Sequence, residues 1–446
     1  MKNSNASVAI EGLAAALLVS SGVALANQDQ PTANPGEEKP PQKLPENVAN
    51  ALKELVEAAE QEPANLSGWE GPRELRFYKL REGCWNAIQL LGKSKADVDK
   101  DLLRLARSNE PLRVRYRALA VLAQRGNPVA VPLIDKMCAS KDADEKYLAW
   151  LTYDQAIREK RLQAPKNVSQ HLALYAAEKD NEVRERMEWF FGTAKAKAAV
   201  RPLLASVKAN PGGSLAAIWS LGEIGDKSAV PVLIAAYGKN LNNDYHLQAL
   251  GRLATPEAVD FLIKHLGKYG AVSALFQTKS AKALPALRKH LKKLEGRKDS
   301  PIHEIAETRL AIIRLSQEDP REQLMKMVEN KDENRHIRFS ALRALRECDA
   351  EPYHRRILKV YTSDPDNDIK RACIWLLEQS KLQGVTEAMI DHALVFKVKS
   401  MNDVATQYSL LDALNHRLEV SLRSMEDMRA HIRKLRKEKK ADGPRD

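Results

Sequence analysis

The sequence predicts an all-α solenoid of about ten helix pairs, followed by a C-terminal helix with a heptad pattern. Residues 214–238 have the pattern of a helix, a tight turn and a second helix, and similar stretches return at intervals of about thirty residues. A repeat of that length with two helices is typical of an α-solenoid, in which each pair buries its apolar side against the next. Such a domain has many local contacts and no single central core.

The repeating unit is clearest over residues 215–238. Leu215, Ile218, Leu221 and Ile224 recur at steps of three, which predicts a helix that is apolar over most of its circumference. Glycine at position 225 favours the left-handed conformation that ends a helix. A proline at position 231 then fits the start of the second helix, where no backbone N–H is needed.

Position 222 is a landmark for aligning the other units. Its counterparts are Gly92, Ala123, Gly192, Gly251, Arg346 and Glu378. Nine residues before several of them, a β-branched residue is followed by a cation, as in Val114–Arg115, Val183–Arg184, Ile337–Arg338 and Ile369–Lys370. These landmarks predict an α-solenoid domain over residues 48–400.

From about residue 75 to residue 395 the chain resembles the HEAT-repeat family, in particular the short bacterial type also found in phycocyanobilin lyases. The stretch Asp364–Ala372 is similar to that family's inter-repeat turn followed by its inner helix. The resemblance implies a ladder of cations between units that bond to turn acids such as Asp226. The ladder candidates are Arg115, Arg184, Arg338 and Lys370.

The N-terminal 26 residues are typical of a signal peptide. Lys2 precedes an apolar run over residues 12–25, and Ala24–Ala26 supplies small residues for cleavage. The alternative is a membrane anchor or a disordered tail. Residues 27–47 hold five prolines and predict a disordered linker, and the first helix is expected over residues 48–61. A signal peptide predicts export to the periplasm or the cell exterior.

Residues 405–440 have a different period, with apolar side chains alternating at three and four positions. These are Leu411, Leu414, Leu418, Met425, Met428, Ile432 and Leu435. One interpretation is a coiled coil that forms a homodimer. The other is a long last helix that folds back over the open end of the solenoid. Residues 441–446 are expected to be a disordered tail.

The net charge of +12 is concentrated in two segments. Residues 279–299 hold eight cations and two acids, and residues 429–440 hold seven cations and one acid. The candidate basic patches are Arg288, Lys289, Lys292, Lys293, Arg433, Lys434, Arg436 and Lys437. They would suit an anionic polymer or lipid, although a solvated helix face is the simpler interpretation. Concentrated charge argues against a nucleic-acid groove that follows successive units.

No complete catalytic or metal-binding motif occurs in the sequence. His303–Glu304 lacks the second histidine of a zinc helix, and Ile369 occupies the glycine position of a calcium loop. We therefore expect no enzymatic activity, cofactor or metal. The four cysteines, at positions 84, 138, 348 and 373, lack metal-ligand spacing. Cys348 and Cys373 would be able to form a disulfide in an exported protein, and otherwise buried thiols are expected.

Three tryptophans share one place in their units. Trp189, Trp219 and Trp375 each lie three residues before the landmark position. With Arg184, they are candidates for a partner-binding strip, because tryptophan and arginine often dominate interface energies. The alternative is that they fill seams between units.

The leading functional hypothesis is an exported, non-enzymatic scaffold that holds a protein partner on its concave face. One alternative, from the resemblance, is a lyase or a chaperone-like subunit similar to phycocyanobilin lyases. Another is binding of nucleic acid or a different polyanion through the basic patches, since some DNA glycosylases also use HEAT-like repeats.

Overall fold

The computed structural model describes residues 44–60, 84–108, 111–212, 215–239, 244–316, 319–398, 400–418, 420, 422 and 424–441. The predicted signal peptide, the linker up to residue 43 and the tail from residue 442 lie outside these ranges. The chain divides into two units, residues 1–46 and 47–446, and the helices described below belong to the second apart from Glu46.

The described residues form 23 α-helices and contain no strand, which confirms the all-α prediction. In order they are α1 (Glu46–Glu60), α2 (Trp85–Lys93), α3 (Asp99–Arg107), α4 (Leu112–Gln124), α5 (Ala130–Cys138), α6 (Ala143–Arg158), α7 (Ser169–Ala177), α8 (Asn181–Thr193), α9 (Val200–Ala209), α10 (Leu215–Ile224), α11 (Val230–Ala236), α12 (Asp244–Leu253), α13 (Pro256–Lys264), α14 (Ala271–Gln277), α15 (Leu284–Glu295), α16 (Ile302–Ser316), α17 (Arg321–Glu329), α18 (Arg335–Arg346), α19 (His354–Ser363), α20 (Asn367–Leu377), α21 (Val385–Val395), α22 (Met401–Arg417) and α23 (Met425–Ala441).

The helices from α2 onward form two layers. Each even-numbered helix from α2 to α22 packs against the next even-numbered helix, and we call this row the stacked layer. The odd-numbered helices from α3 to α23 form the second layer. Helices α2 to α21 are the ten predicted pairs, and their order confirms the solenoid.

The landmark glycines lie where consecutive stacked helices come closest. A Cβ atom on Gly222 would be 2.8 Å from Cα of Ala249, and one on Gly251 would be 2.6 Å from the carbonyl oxygen of Ala274. Real Cβ atoms do not approach so closely, so only glycine allows this helix spacing. The repeat at these positions therefore follows from packing between units.

Carboxylates start several stacked helices. The Asp180 side chain accepts from the backbone N–H groups of Glu182 and Val183, which caps α8. Asp366 caps α20 in the same way. Asp364, Asp366 and Asp368 have the spacing of a calcium loop; the first two accept turn and cap hydrogen bonds, and Asp368 pairs with Arg371. The described residues contain no group of three potential metal ligands.

Ion pairs link successive units as a ladder, with acids other than the expected one. Arg115 Nη1 lies 2.8 Å from Glu145 Oε1, and a buried pair joins Arg338 to Asp364. Asp226 accepts from the N–H of Ser228, two residues along, and its implied place in the ladder stays a prediction. Lys146, which pairs with Glu178 over 2.5 Å, is a ladder residue that the sequence pattern missed.

The single long helix expected over residues 405–440 is instead two helices, α22 and α23. Five of its heptad positions are buried inside the domain: Leu411, Leu414, Met425, Met428 and Ile432. They join one core cluster with residues of α18 to α21. The segment thus adds an eleventh helix pair to the end of the solenoid in place of one long last helix, and a homodimer formed through it stays a prediction.

The cysteines are free thiols in this structure. Cys84, Cys138 and Cys373 are buried, as expected for thiols on apolar helix faces, and Cys348 is half-buried. Among the described residues, no helix is both long and apolar enough to cross a membrane.

Candidate functional site

Two of the three predicted tryptophans meet on the stacked layer. The ring centroids of Trp189 on α8 and Trp219 on α10 lie 4.8 Å apart, and both side chains are half-buried. Tyr245 on α12 follows, with its centroid 6.4 Å from that of Trp189. We call these three residues the aromatic strip; it spans three consecutive stacked helices.

The same rings also fill the seam between units. A Cβ atom on Gly192 would lie 2.6 Å from Cζ3 of Trp219, so the indole occupies the space that this glycine leaves open. The buried Nε1 atom of Trp189 has no hydrogen-bond partner in the described structure. The ring of Trp189 therefore contributes packing rather than a polar contact.

Arginines lie beside the aromatic strip. The Arg158 guanidinium is 5.6 Å from the Trp219 ring centroid, within range of a cation–π contact. It also donates to Asp154 over 2.7 Å, which fixes its position. Farther along, Arg252 pairs with Glu223 over 2.9 Å. The surface thus combines aromatic rings with arginines that are already held in place.

A buried carboxylate next to the aromatic strip joins four helices by hydrogen bonds. Glu188, next to Trp189, accepts hydrogen bonds from Tyr175 Oη at 2.7 Å and from Ser206 Oγ at 2.6 Å. It also accepts from the backbone N–H of Ala217, one of the free donors in the first turn of α10. Burial raises the pKa of Glu188 above its ordinary value. This contact links α7, α8, α9 and α10.

Trp375 lies in a separate cluster on α20. Its ring centroid is 5.9 Å from that of Phe339, and its Nε1 donates to Ser409 Oγ over 3.3 Å. The guanidinium groups of Arg346 and Arg371 lie 5.9 and 5.6 Å from its ring. The three tryptophans share one register, and only two of them share one surface.

Arg184 lies apart from the strip and contacts the preceding unit. It donates to the carbonyl oxygens of Tyr175 and Glu178 over 2.9 and 3.1 Å, and its guanidinium lies 4.2 Å from the Tyr175 ring centroid. These contacts fix the turn between α7 and α8. They indicate a role in packing α8 against the preceding unit.

The predicted basic patches are exposed and lie on two helices of the second layer. Arg288, Lys289, Lys292 and Lys293 are on α15, and among the described residues none has a carboxylate within ion-pair distance. On α23, Arg433 and Lys437 are exposed, and no residue of the described ranges forms an ion pair with either. Arg436 pairs with Asp391, and Lys434 is 3.9 Å from Glu438.

Sequence reasoning missed Tyr245 and Arg158 as members of the surface. Tyr245 lies six residues before the landmark Gly251, and Arg158 belongs to the longest helix of its region, where the thirty-residue spacing breaks down. A search confined to one register therefore finds the tryptophans and misses the neighbours that complete their surface.

Comparison with known proteins supports the repeat assignment. Residues 215–238 match the family model described as the PBS lyase HEAT-like repeat. No curated protein matches the chain significantly. The crystal structure of an engineered protein is similar over 82% of this chain and 98% of that one, at 16% identity and a TM-score of 0.27. So distant a likeness supports no inference about function. The matched repeat coincides with α10 and α11, and the succession of packed helices shows that the described chain is an α-solenoid that contains a HEAT-like repeat.

Proposed function

We propose that the protein is a non-enzymatic scaffold that holds a protein partner along the exposed surface of the stacked layer. The observation that carries this proposal is the contact between the half-buried rings of Trp189 and Trp219, extended by Tyr245. Tryptophan, tyrosine and arginine are enriched among residues that dominate binding energy. Rigid rings in fixed positions also lose little conformational entropy when a partner binds.

The layer geometry supports the choice of this face. Even-numbered helices pack directly against one another along the whole row, whereas helices of the second layer approach one another less closely. When the helices of one layer pack more closely than those of the other, the solenoid curves toward the closely packed layer. This supports placing the concave face on the stacked layer, where the aromatic strip lies.

The test is affinity capture from the native host with three versions of the full chain. We expect the wild type and Trp375→Ala to recover the same partner, and Trp189→Ala/Trp219→Ala to lose it. Trp375 is the matched control because it has the same register in a different cluster. Equal recovery by all three versions would contradict the proposal, provided that circular dichroism shows equal helix content.

Export is part of the same proposal. It is supported by the sequence of residues 1–26, which combines Lys2, an apolar run and small residues at positions 24–26. Fractionation of the native host followed by N-terminal sequencing should give a mature chain that begins near residue 27. A cytoplasmic chain that retains Met1 would disprove export.

A second candidate function follows from the name of the matched repeat, PBS lyase HEAT-like. Under that alternative the protein would be a lyase or chaperone-like subunit that handles a pigment. Fold-level likeness is a weak basis for function. An absorption band in the visible range from protein purified from its native host would favour this alternative over the scaffold.

A further inference from the structure

We propose that one edge of the solenoid binds the anionic phospholipid surface of a membrane. The edge consists of two loops that lead into stacked helices, residues 265–270 and 296–300, together with the last turn of α15. We call it the loop edge. It shares no residue with the aromatic strip, so the proposal does not rest on the scaffold function.

The two loops are close neighbours. A Cβ atom built on Gly267 would lie 3.7 Å from Cε1 of His290, a residue of α15. The first loop therefore packs beside the helix that carries the second. Lys268 and Tyr269 of the first loop and Arg297 and Lys298 of the second are exposed.

Unpaired cations dominate the loop edge. Its exposed cations are Lys268, Lys292, Lys293, Arg297 and Lys298, joined by Lys264 at the adjoining end of α13, and its exposed acids are Glu295 and Asp299. Among the described residues, none of these six cations has a carboxylate within 4.0 Å. Glu295, an acid of the same region, is already bound by Arg309. Each cation near an anionic membrane surface contributes about 1 kcal/mol of attraction, or about five-fold in binding.

An exposed aromatic ring lies among these cations. Tyr269 is 80% exposed, the highest value among the large apolar side chains of the described residues. Gly267 and Gly270 flank it with φ of 92° and 81°, values that few other residues adopt. Backbone hydrogen bonds from Lys268 to His265 and from Ala271 to Lys268 fix the turn. A tyrosine held outward in this way suits the headgroup level of a bilayer, where such rings are enriched.

A membrane fits this surface better than a nucleic-acid strand does. The second-layer helices before and after α15 carry carboxylates: Asp260 on α13, which pairs with Lys282, and Glu329 on α17, which pairs with Arg356. A strand that crosses successive helices would meet these acids. A lipid surface that approaches the loops from outside meets the cations and Tyr269 first.

The test measures binding of the full chain to vesicles by co-sedimentation. We expect binding to phosphatidylcholine vesicles that contain phosphatidylserine and none to phosphatidylcholine alone. Lys292→Gln/Lys293→Gln should weaken binding about thirty-fold, from about five-fold for each lost cation. Tyr269→Ala should weaken it several-fold, and Tyr269→Trp should preserve it.

The matched control is Lys227→Gln/Lys381→Gln. Both lysines are exposed in loops on the opposite edge, which connect a stacked helix to the following second-layer helix, and the change in net charge is the same. Equal weakening by both double variants would overturn the proposal, because only net charge would then matter. Binding that ignores phosphatidylserine would also overturn it. So would selective binding of single-stranded DNA that Lys292→Gln/Lys293→Gln abolishes, since the edge would then be a nucleic-acid site.

Discussion

At the scale of single residues, the ion pair between Arg338 and Asp364 is the most deeply buried link of the ladder. Its side chains are 7% and 1% exposed, and Arg338 Nε also donates to the Val328 carbonyl oxygen over 2.9 Å. Removing one partner of a buried pair leaves an uncompensated charge, which costs far more than the pair itself contributes. An exposed ion pair keeps most of its hydration, so it has little desolvation cost and contributes little to stability.

We therefore expect Arg338→Ala to lower the free energy of unfolding by about 3 kcal/mol. The control is Arg436→Ala, which breaks the exposed pair with Asp391 and should cost less than about 1 kcal/mol. Urea denaturation followed by circular dichroism measures both. Equal effects of the two variants would show that burial of the first pair is unimportant.

A buried histidine predicts sensitivity to acid. His246 is 0% exposed, neither ring nitrogen has a hydrogen-bond partner in the described structure, and burial lowers its pKa to about 4. The unfolded chain binds that proton near pH 6.5, so between these values the unfolded state holds more protons. The contribution of neutral His246 to the free energy of unfolding is therefore fully present above pH 6.5 and is lost as the pH falls toward 4.

The expected loss between pH 7 and pH 4 is about 3 kcal/mol from this residue alone. His246→Leu removes the titrating group and should flatten the pH dependence of the unfolding free energy over that range. His336→Leu, at an exposed position on α18, should leave the dependence unchanged. A pH profile that is the same for wild type and His246→Leu would assign the acid sensitivity to other groups.

At the scale of helices, the landmark glycine is explained by the contact between neighbours. An alanine at position 222 would improve helix propensity by about 1 kcal/mol. Its Cβ would also meet the backbone of Ala249 at 2.8 Å, which forces α10 and α12 apart. Overpacking of this kind costs about 1–3 kcal/mol and affects every contact along the two helices.

We expect Gly222→Ala to destabilise the domain by about 2 kcal/mol despite the better propensity. Gly296→Ala is the matched control: at φ −78° its Cβ would come no closer than 3.4 Å to any neighbour, so the change should be neutral. Thermal unfolding by calorimetry separates the two. A stabilised Gly222→Ala protein would mean that the helices can move apart without cost.

Helix boundaries show where sequence reasoning was sufficient and where it failed. The unit at residues 215–238 was predictable because its glycine and proline signals are local. The break between α22 and α23 has no such signal. Its turn is held by Asn415, which bonds both the N–H and the carbonyl oxygen of Leu422, and by Arg417, which binds carbonyl oxygens at the end of α20. Those contacts exist only after the chain has folded.

The aromatic strip was also predictable only in part from the sequence. A common register indicated that Trp189, Trp219 and Trp375 occupy equivalent places, which the structure bears out for their helix layer. Which of these rings are in contact depends on the residues that lie between them. The aromatic strip forms where Gly192 admits the neighbouring ring, whereas Trp375 packs on Phe339. A periodic pattern cannot supply such pairwise contacts.

At the scale of the whole domain, contacts join mainly neighbouring helices. Each stacked helix packs against those before and after it, and described helices more than a few units apart share no extensive contact. The stability of such a chain is approximately a sum of unit and interface contributions. A defect in one unit should therefore affect its neighbours and leave distant units as they were.

Hydrogen exchange under native conditions tests this locality. Gly222→Ala should lower the protection of amides in α8 to α12, and Arg338→Ala should lower it in α18 to α20, each without effect on the other region. If units open locally, the protection of each amide reports the stability of its own segment. If the domain unfolds only as a whole, a destabilising variant lowers the protection of all slowly exchanging amides by the same amount. Uniform loss in either variant would mean that units separated by three or more stacked helices unfold together. The aromatic strip on α8 to α12 and the buried pair on α18 to α20 would then belong to one cooperative unit.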